Sequence, residues 1–157
     1  MRAISPIVAL FSAALAATGC GEGGTSQKTQ TVIEISTDFD CSLLNDVTIA
    51  LADKEGALTT VASTDECSNR SVGSLVFVPD TGTDRDSFFI VVVTAGLEVP
   101  ASECEANGFL GCIVARRRMT FSSGTVDILL SNACVGNPCS FATTCVGSGE
   151  CVPFTDP

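Results

Sequence analysis

The cysteines constrain this chain more than any other feature of its sequence. There are nine of them in 157 residues, an odd number for an exported protein, in which an unpaired thiol is a liability. The first, Cys20, follows an apolar leader. The remaining eight form an even set that predicts four disulfides and an oxidising compartment: Cys41, Cys67, Cys104, Cys112, Cys134, Cys139, Cys145 and Cys151.

Residues 1–19 have the composition of a signal peptide. Arg2 supplies a positive start, and residues 7–17 (IVALFSAALAA) form an apolar run with one serine. A helix of that length spans about 16 Å, roughly half of a bilayer core. This length suits an export signal and is too short for a transmembrane helix.

The four residues that end this leader, Ala17-Thr18-Gly19-Cys20, resemble the lipobox of bacterial lipoproteins. The usual lipobox has Leu three residues before the cysteine, where this chain has Ala17, so the match is relaxed. The resemblance implies that Cys20 carries a lipid and begins the mature protein, which also accounts for the odd cysteine. Secretory cleavage after Ala14-Leu15-Ala16, which would give a secreted or periplasmic protein, is the alternative.

Residues 20–30 (CGEGGTSQKTQ) predict a flexible tether between the lipid and the folded domain. By resemblance to lipoprotein sorting rules, Gly21 in place of Asp implies the outer membrane of a bacterial envelope. The net charge of −10 disfavours nucleic acid as a partner and adds no attraction to anionic lipid. Acyl chains on Cys20 would therefore supply membrane association by themselves.

Residues 31–131 have a hydrophobic period of two, which is typical of β-strands. Turn-forming residues separate about seven such segments, near residues 33–35, 47–51, 58–62, 75–78, 88–94, 113–121 and 126–130. The segment 88–94 is apolar at both parities and predicts a central strand that is buried on both sides. The pattern predicts an all-β sandwich domain of the immunoglobulin-like or prealbumin-like kind, with a small barrel as the alternative.

Residues 132–157 form a second, cysteine-rich region with the spacing C-x4-C-x5-C-x5-C. It resembles small, partly EGF-like disulfide knots, but it lacks the six-cysteine pattern of an EGF module. Disulfides are favoured over a zinc site, because structural zinc sites are typical of reducing compartments. Eight cysteines allow 105 pairings. The ones that we favour join Cys104 to Cys112, Cys41 to Cys67, Cys134 to Cys145 and Cys139 to Cys151.

Two charged clusters are candidate sites. Asp80, Asp84 and Asp86 share one glycine-containing loop and could bind calcium, although the EF-hand ligand order is missing and solvated carboxylates are the simpler interpretation. Arg116 and Arg118 could bind an anionic partner, or they could protect an edge strand from aggregation. Arg117 falls on the same strand face as apolar residues, which predicts a bulge, an edge position or an acidic partner there.

The absence of histidine, tryptophan and tyrosine leaves little basis for catalysis. The sequence has no histidine base for a serine or cysteine nucleophile, and no pair of carboxylates is singled out by spacing. We therefore expect no enzyme, and no cofactor apart from a possible calcium ion. The sequence predicts a lipid-anchored envelope protein that acts as a structural or protein-interaction module. A β-sandwich lipoprotein that binds calcium or a small ligand is the alternative, and a small secreted hydrolase is a remote one.

Overall fold

The computed structural model describes residues 30–52, 56–78, 88–121 and 124–154. In these ranges the chain forms strands and single 3-10 turns, with no α-helix. The turns lie at Cys41–Leu43, Ala101–Glu103 and Asn132–Cys134. The strands are β1 (Thr31–Thr37), β2 (Asp46–Ala52), β3 (Leu58–Thr64), β4 (Ser71–Phe77), β5 (Phe88–Gly96), β6 (Cys112–Thr120), β7 (Gly124–Leu130), β8 (Thr143–Cys145) and β9 (Cys151–Pro153).

These strands form three sheets. One has three strands in the order β4-β1-β7, in which β1 is antiparallel to β4 and parallel to β7. The second has four antiparallel strands in the order β3-β2-β5-β6, and the third pairs β8 with β9. The prediction of an all-β protein is confirmed, and each of the seven predicted segments overlaps one of β1 to β7.

The two larger sheets enclose one hydrophobic core. Alternate residues of their strands point into it, as the period of two requires. From the three-stranded sheet come Ile33 and Ile128, which are almost fully buried, and from the four-stranded sheet come Val47, Val93 and Ile113. Burial of these side chains is the main favourable term in holding the two sheets together.

The outer face of the four-stranded sheet has a second, smaller apolar cluster. Ile90 and Val92 of β5 lie in it with Val114 of β6, and Phe109 and Phe154 pack against it from outside the sheet. Strand β5 therefore buries side chains on both faces, as its apolar sequence predicts. This outer face is where the candidate site lies.

All eight cysteines after Cys20 are disulfide-bonded, which confirms the prediction of a disulfide-rich protein. The pairs are Cys41–Cys67, Cys104–Cys112, Cys134–Cys145 and Cys139–Cys151, the same four that the sequence favours. Four disulfides indicate an oxidising, extracytoplasmic location. Within the ranges described, no helix has the length and apolar character needed to cross a membrane.

The cysteine-rich region covers the outer edge of β6. The backbone N–H of Gly136 donates to Cys112 O at 2.8 Å, and the backbone N–H of Arg116 donates to Thr144 Oγ1 at 2.9 Å. Because β6 is the last strand of its sheet, these bonds satisfy groups that would otherwise lack a strand partner. The C-terminal region therefore closes one edge of the fold, and its small β8-β9 sheet is a feature that the sequence did not predict.

Candidate functional site

The three consecutive arginines lie on β6, where the side chains alternate between the two faces of the sheet. Arg116 and Arg118 are on the outer face, in register with Val92 and Ile90, while Arg117 is on the inner face opposite Val91. The register between β5 and β6 is unbroken through this stretch, so the strand has no bulge here. Of the three explanations offered for Arg117, the edge position is the one that the structure bears out.

Arg116 is a buried guanidinium. Its exposed fraction is 9%, and its Nη1 donates to the backbone carbonyls of Pro138 and of Thr143, the latter at 3.5 Å. Its Nε has no hydrogen-bond partner, and no carboxylate among the described residues forms an ion pair with it. Burial away from water lowers the pKa of Arg116. A buried charge without an opposite charge is costly, so this arginine is an unusual feature of the fold.

Arg118 lies further along the same outer face and is half-buried. Its guanidinium stacks over the ring of Phe88, 3.8 Å from the ring centroid. Such a cation–π contact is worth about 0.5–1 kcal/mol at a partly exposed site. That Arg116 and Arg118 bind an anionic partner stays a prediction. Because Arg116 is buried, the surface of another protein cannot contact it directly, and only a smaller group could reach it.

A cavity of about 370 Å³ opens on the outer face beside Arg116. Its floor is the outer face of the four-stranded sheet. The strand register aligns the floor residues in two rows across the strands. One row is Thr60, Ala50, Val92 and Arg116, and the other is Thr48, Thr94 and Val114. Its wall is the segment between β5 and β6, which contributes Ala101, Ser102, Cys104, Glu105 and Phe109. Apolar side chains and threonine hydroxyls therefore share the lining with one buried cation, Arg116, and one solvent-exposed carboxylate, Glu105.

The wall segment is held in place by several bonds. The Cys104–Cys112 disulfide joins it to the start of β6, and its Ala101 N–H donates to the Asp46 carboxylate at 2.6 Å. Gly96 begins this segment at the end of β5, where a Cβ atom would lie only 2.1 Å from Val99 O, so only glycine fits. The cavity is thus formed by a fixed wall and needs no closing movement.

A second cleft of about 250 Å³ lies between the edge strands of the two larger sheets, β3 and β4. Ile35, Ile49, Val72 and Leu75 contribute its apolar surface. Neither strand contains a charged residue: their sequences are LTTVAST and SVGSLVF. Four large apolar side chains are exposed in or beside these strands, namely Leu58, Val61, Val76 and Val78.

The other predicted sites lie outside the described residues. These are the lipidation site Cys20, the signal peptide, most of the tether, and the calcium candidates Asp80, Asp84 and Asp86, all of which stay predictions. In the part of the chain that is described, no group of three or more His, Cys, Asp or Glu residues could hold a metal ion. The disulfides of the C-terminal region use the thiols that a zinc site there would have required.

No family model, no curated protein and no solved structure matches this chain. We therefore infer the function from the geometry of the fold. From the sequence we identified Arg116 but not the other residues that line the cavity, among them Thr48, Thr60, Thr94 and Phe109. The alternation along β2 did place Thr48 on the face opposite Val47 and Ile49. The missing information was the position of the wall segment above the threonines.

Proposed function

We propose that this protein is a lipid-anchored module of the bacterial envelope that binds another protein through the edge of β4. The observation that carries the proposal is an uncharged strand edge with a free side. Among the described residues, β4 pairs only with β1, continuously along residues 73–77 and again at Ser71, and no strand pairs with its other side. An edge of this kind offers its backbone N–H and C=O groups to a strand of a partner.

The rest of the fold makes this edge distinctive. Strand β6, the edge of the four-stranded sheet, is covered by the C-terminal region through Thr144 and Gly136. Strand β4 has no such cover in the described ranges, and it has no lysine or other charged residue of the kind that usually protects an edge. The start of β4 is blocked, since Ser71 bonds back to Ser68. This leaves residues 73–77, about five residues, for a partner strand.

Strand β3 is the less suitable edge. Its register with β2 shifts between Ile49 and Ala50, which divides β3 into two short stretches. The register of β4 with β1 shifts only near its beginning, at Ile35 and Ser36, so its later part is continuous. Because bulges twist an edge away from pairing, β4 is the better template.

The lipid anchor is supported by the cysteines. Each of the eight cysteines after Cys20 has a disulfide partner within the fold, so Cys20 is left without one. This agrees with the lipobox resemblance and with the relaxed but recognisable Ala17-Thr18-Gly19-Cys20 sequence. Gly21 favours the outer membrane by the same resemblance.

We also propose that the sandwich is of the prealbumin-like kind. In immunoglobulin constant domains the second and third strands lie in different sheets. Here β2 and β3 are neighbours in one sheet, and the first strand pairs with both β4 and β7. The strand order thus supports the prealbumin-like alternative over the immunoglobulin-like one.

A matched pair of variants tests the strand-edge proposal. Val76 on β4 and Leu129 on β7 are both exposed aliphatic residues of the three-stranded sheet, at 50% and 44%. Three envelope samples are prepared, containing the tagged wild-type lipoprotein, its Val76→Lys variant or its Leu129→Lys variant. Each is solubilised in mild detergent and separated by size under native conditions. We expect a complex larger than the free lipoprotein that is lost in Val76→Lys and retained in Leu129→Lys.

Two results would contradict the proposal. One is a lipoprotein that migrates alone in every growth condition, with and without chemical crosslinking beforehand. The other is a complex that Val76→Lys and Leu129→Lys leave equally intact, because that complex would not involve the β4 edge.

A further inference from the structure

We infer that the cavity beside Arg116 is a binding site for a small carboxylate ligand with an apolar body. The site lies on the four-stranded sheet, whereas the β4 edge belongs to the three-stranded one, so this inference does not depend on the proposed function. Its elements are the buried cation Arg116, three threonine hydroxyls and an apolar floor within one cavity, and the carboxylate in its wall, Glu105, is exposed to water, which screens its charge.

The size of the cavity fits a small molecule. Ligand sites in proteins are concave, mostly apolar and about 300–1,000 Å³ in volume, with a few polar groups that fix orientation. The cavity here measures about 370 Å³. A cavity of this volume cannot hold a folded protein. An apolar segment of a partner protein would also leave the threonine hydroxyls in the floor without hydrogen bonds, so a ligand with polar groups fits better.

The apolar surface of the site is already shaped. Ala50, Val92 and Val114 are 7%, 3% and 2% exposed and give the floor little freedom to move. Phe109, held by the hydrogen bond from its N–H to Cys104 O at 2.7 Å, forms part of the wall. A site that is ordered before binding loses less conformational entropy when a ligand enters.

The charge of Arg116 selects the ligand. Nη1 is occupied by two backbone carbonyls, which carry only partial negative charge, and the guanidinium has no ion pair within the described residues. An anion that binds beside a buried guanidinium without an ion pair gains more interaction free energy than it would beside an exposed one, because little water competes. Arginine presents a planar set of donors that matches a carboxylate group.

The hydroxyl groups define the other end of the ligand. Thr48 and Thr94 are paired across β2 and β5, and Thr60 lies opposite Ala50 on β3. Each hydroxyl can donate or accept a hydrogen bond. The ligand class is therefore a carboxylic acid with an apolar middle and room for a polar group at the side away from Arg116.

The test compares two probes that differ in charge and have nearly the same shape, 3-phenylpropionate and 3-phenylpropionamide. The isotope-labelled full-length protein, kept in nonionic detergent, is titrated with each probe and followed by NMR. We expect 3-phenylpropionate to bind at least about tenfold more tightly than the amide, as hydrogen bonds to a charged group imply. The shifts should centre on Thr94, Phe109 and Val114.

Two variants on β3 provide the matched control. Thr60→Phe fills the cavity from its rim, while Thr59→Phe makes the same change at a residue that does not line the cavity. Both threonines are exposed, so neither change disturbs the core. We expect Thr60→Phe to abolish binding of 3-phenylpropionate and Thr59→Phe to leave it unchanged.

Arg116→Gln removes the charge and should reduce the affinity for 3-phenylpropionate to that for the amide. If Arg116→Gln does not fold, the Thr60 and Thr59 pair still decides the question. The inference is wrong if both probes bind equally, if neither binds at 10 mM, or if the shifts lie elsewhere on the protein.

Discussion

The carboxylate of Asp38 accepts a hydrogen bond from the hydroxyl of Ser131, although 93 residues separate them in the chain. Asp38 follows β1, and Ser131 follows β7, the parallel neighbour of β1. The same carboxylate accepts a second bond from the backbone N–H of Asn132 at 2.7 Å. One side chain thus fastens the ends of two strands at the point where the C-terminal region begins.

This carboxylate makes the stability depend on pH. Burial by itself would raise the pKa of Asp38, but the hydrogen bonds from Ser131 and Asn132, with the charge of Arg70, outweigh it and lower the pKa. A lowered pKa in the folded state gives stability that is present above about pH 4 and is lost as the pH falls through the folded value.

We therefore expect Asp38→Asn to lower the free energy of unfolding by about 1 kcal/mol at pH 7, a modest value because Asp38 is exposed to water. An amide retains one acceptor and places an N–H₂ group against the second donor. Denaturant unfolding from pH 7 to pH 2 checks this, and the difference from the wild type should shrink below about pH 4. A difference that stays constant across this range would contradict the assignment.

Removing the Cys104–Cys112 disulfide should loosen the wall of the cavity more than the sheets. The double variant Cys104→Ser/Cys112→Ser is expected to cost about 2–4 kcal/mol of stability. Hydrogen exchange should then speed up mainly in residues 97–111. The matched control is Cys139→Ser/Cys151→Ser, whose disulfide spans a similar 12 residues in the C-terminal region, against 8 for Cys104–Cys112. Equal effects of both double variants on residues 97–111 would contradict this role.

Gly96 should tolerate no side chain. A Cβ atom there would lie 2.1 Å from Val99 O and 2.7 Å from the Ala101 backbone nitrogen, so Gly96→Ala must displace the wall segment. We expect a loss of about 3 kcal/mol in the free energy of unfolding. The control is Gly108→Ala, where φ is +63° and nothing lies within 4 Å, so only about 1 kcal/mol should be lost. Thermal unfolding of both variants gives the comparison, and equal losses would argue against the close approach.

Mass spectrometry of the protein isolated from membranes tests the chemistry of the cysteines. We expect a diacylglyceryl group on Cys20 and eight cysteines that resist alkylation until a reductant is added. We expect Cys20→Ser to release the protein from the membrane, because the two acyl chains of a diacylglyceryl group on Cys20 would supply its membrane association. An N-terminus without lipid would contradict the proposed anchor. Cysteines that react without prior reduction would contradict the disulfide assignment.

Much of the fold could be predicted because its signals are local. Ile33 and Ile35 alternate with polar residues, as do Val47 and Ile49, and this alternation is a direct consequence of strand geometry. The C-terminal disulfides join cysteines only 11 and 12 residues apart, where loop closure restricts the choice of partner. The apolar run in β5 likewise predicted burial on both faces.

The candidate site could not be predicted in the same way. The sequence placed Arg116 on a strand next to Val114, but it gave no sign that Thr144 and Pro138 would cover it from 22 or more residues away. Nor did it indicate that Phe109 would fold back over the sheet. Alternation specifies which side of a strand a residue occupies and leaves open what lies opposite that side.

The strands, their buried faces and the oxidising environment can be read from the sequence, because each follows from the residue type and its near neighbours. Only the tertiary structure decided that β1 pairs with both β4 and β7, and that Asp38 meets Ser131. It also decided that Arg116 is buried beside a cavity. These contacts join residues that are distant along the chain, and their energies arise only when the two sheets and the C-terminal region have come together.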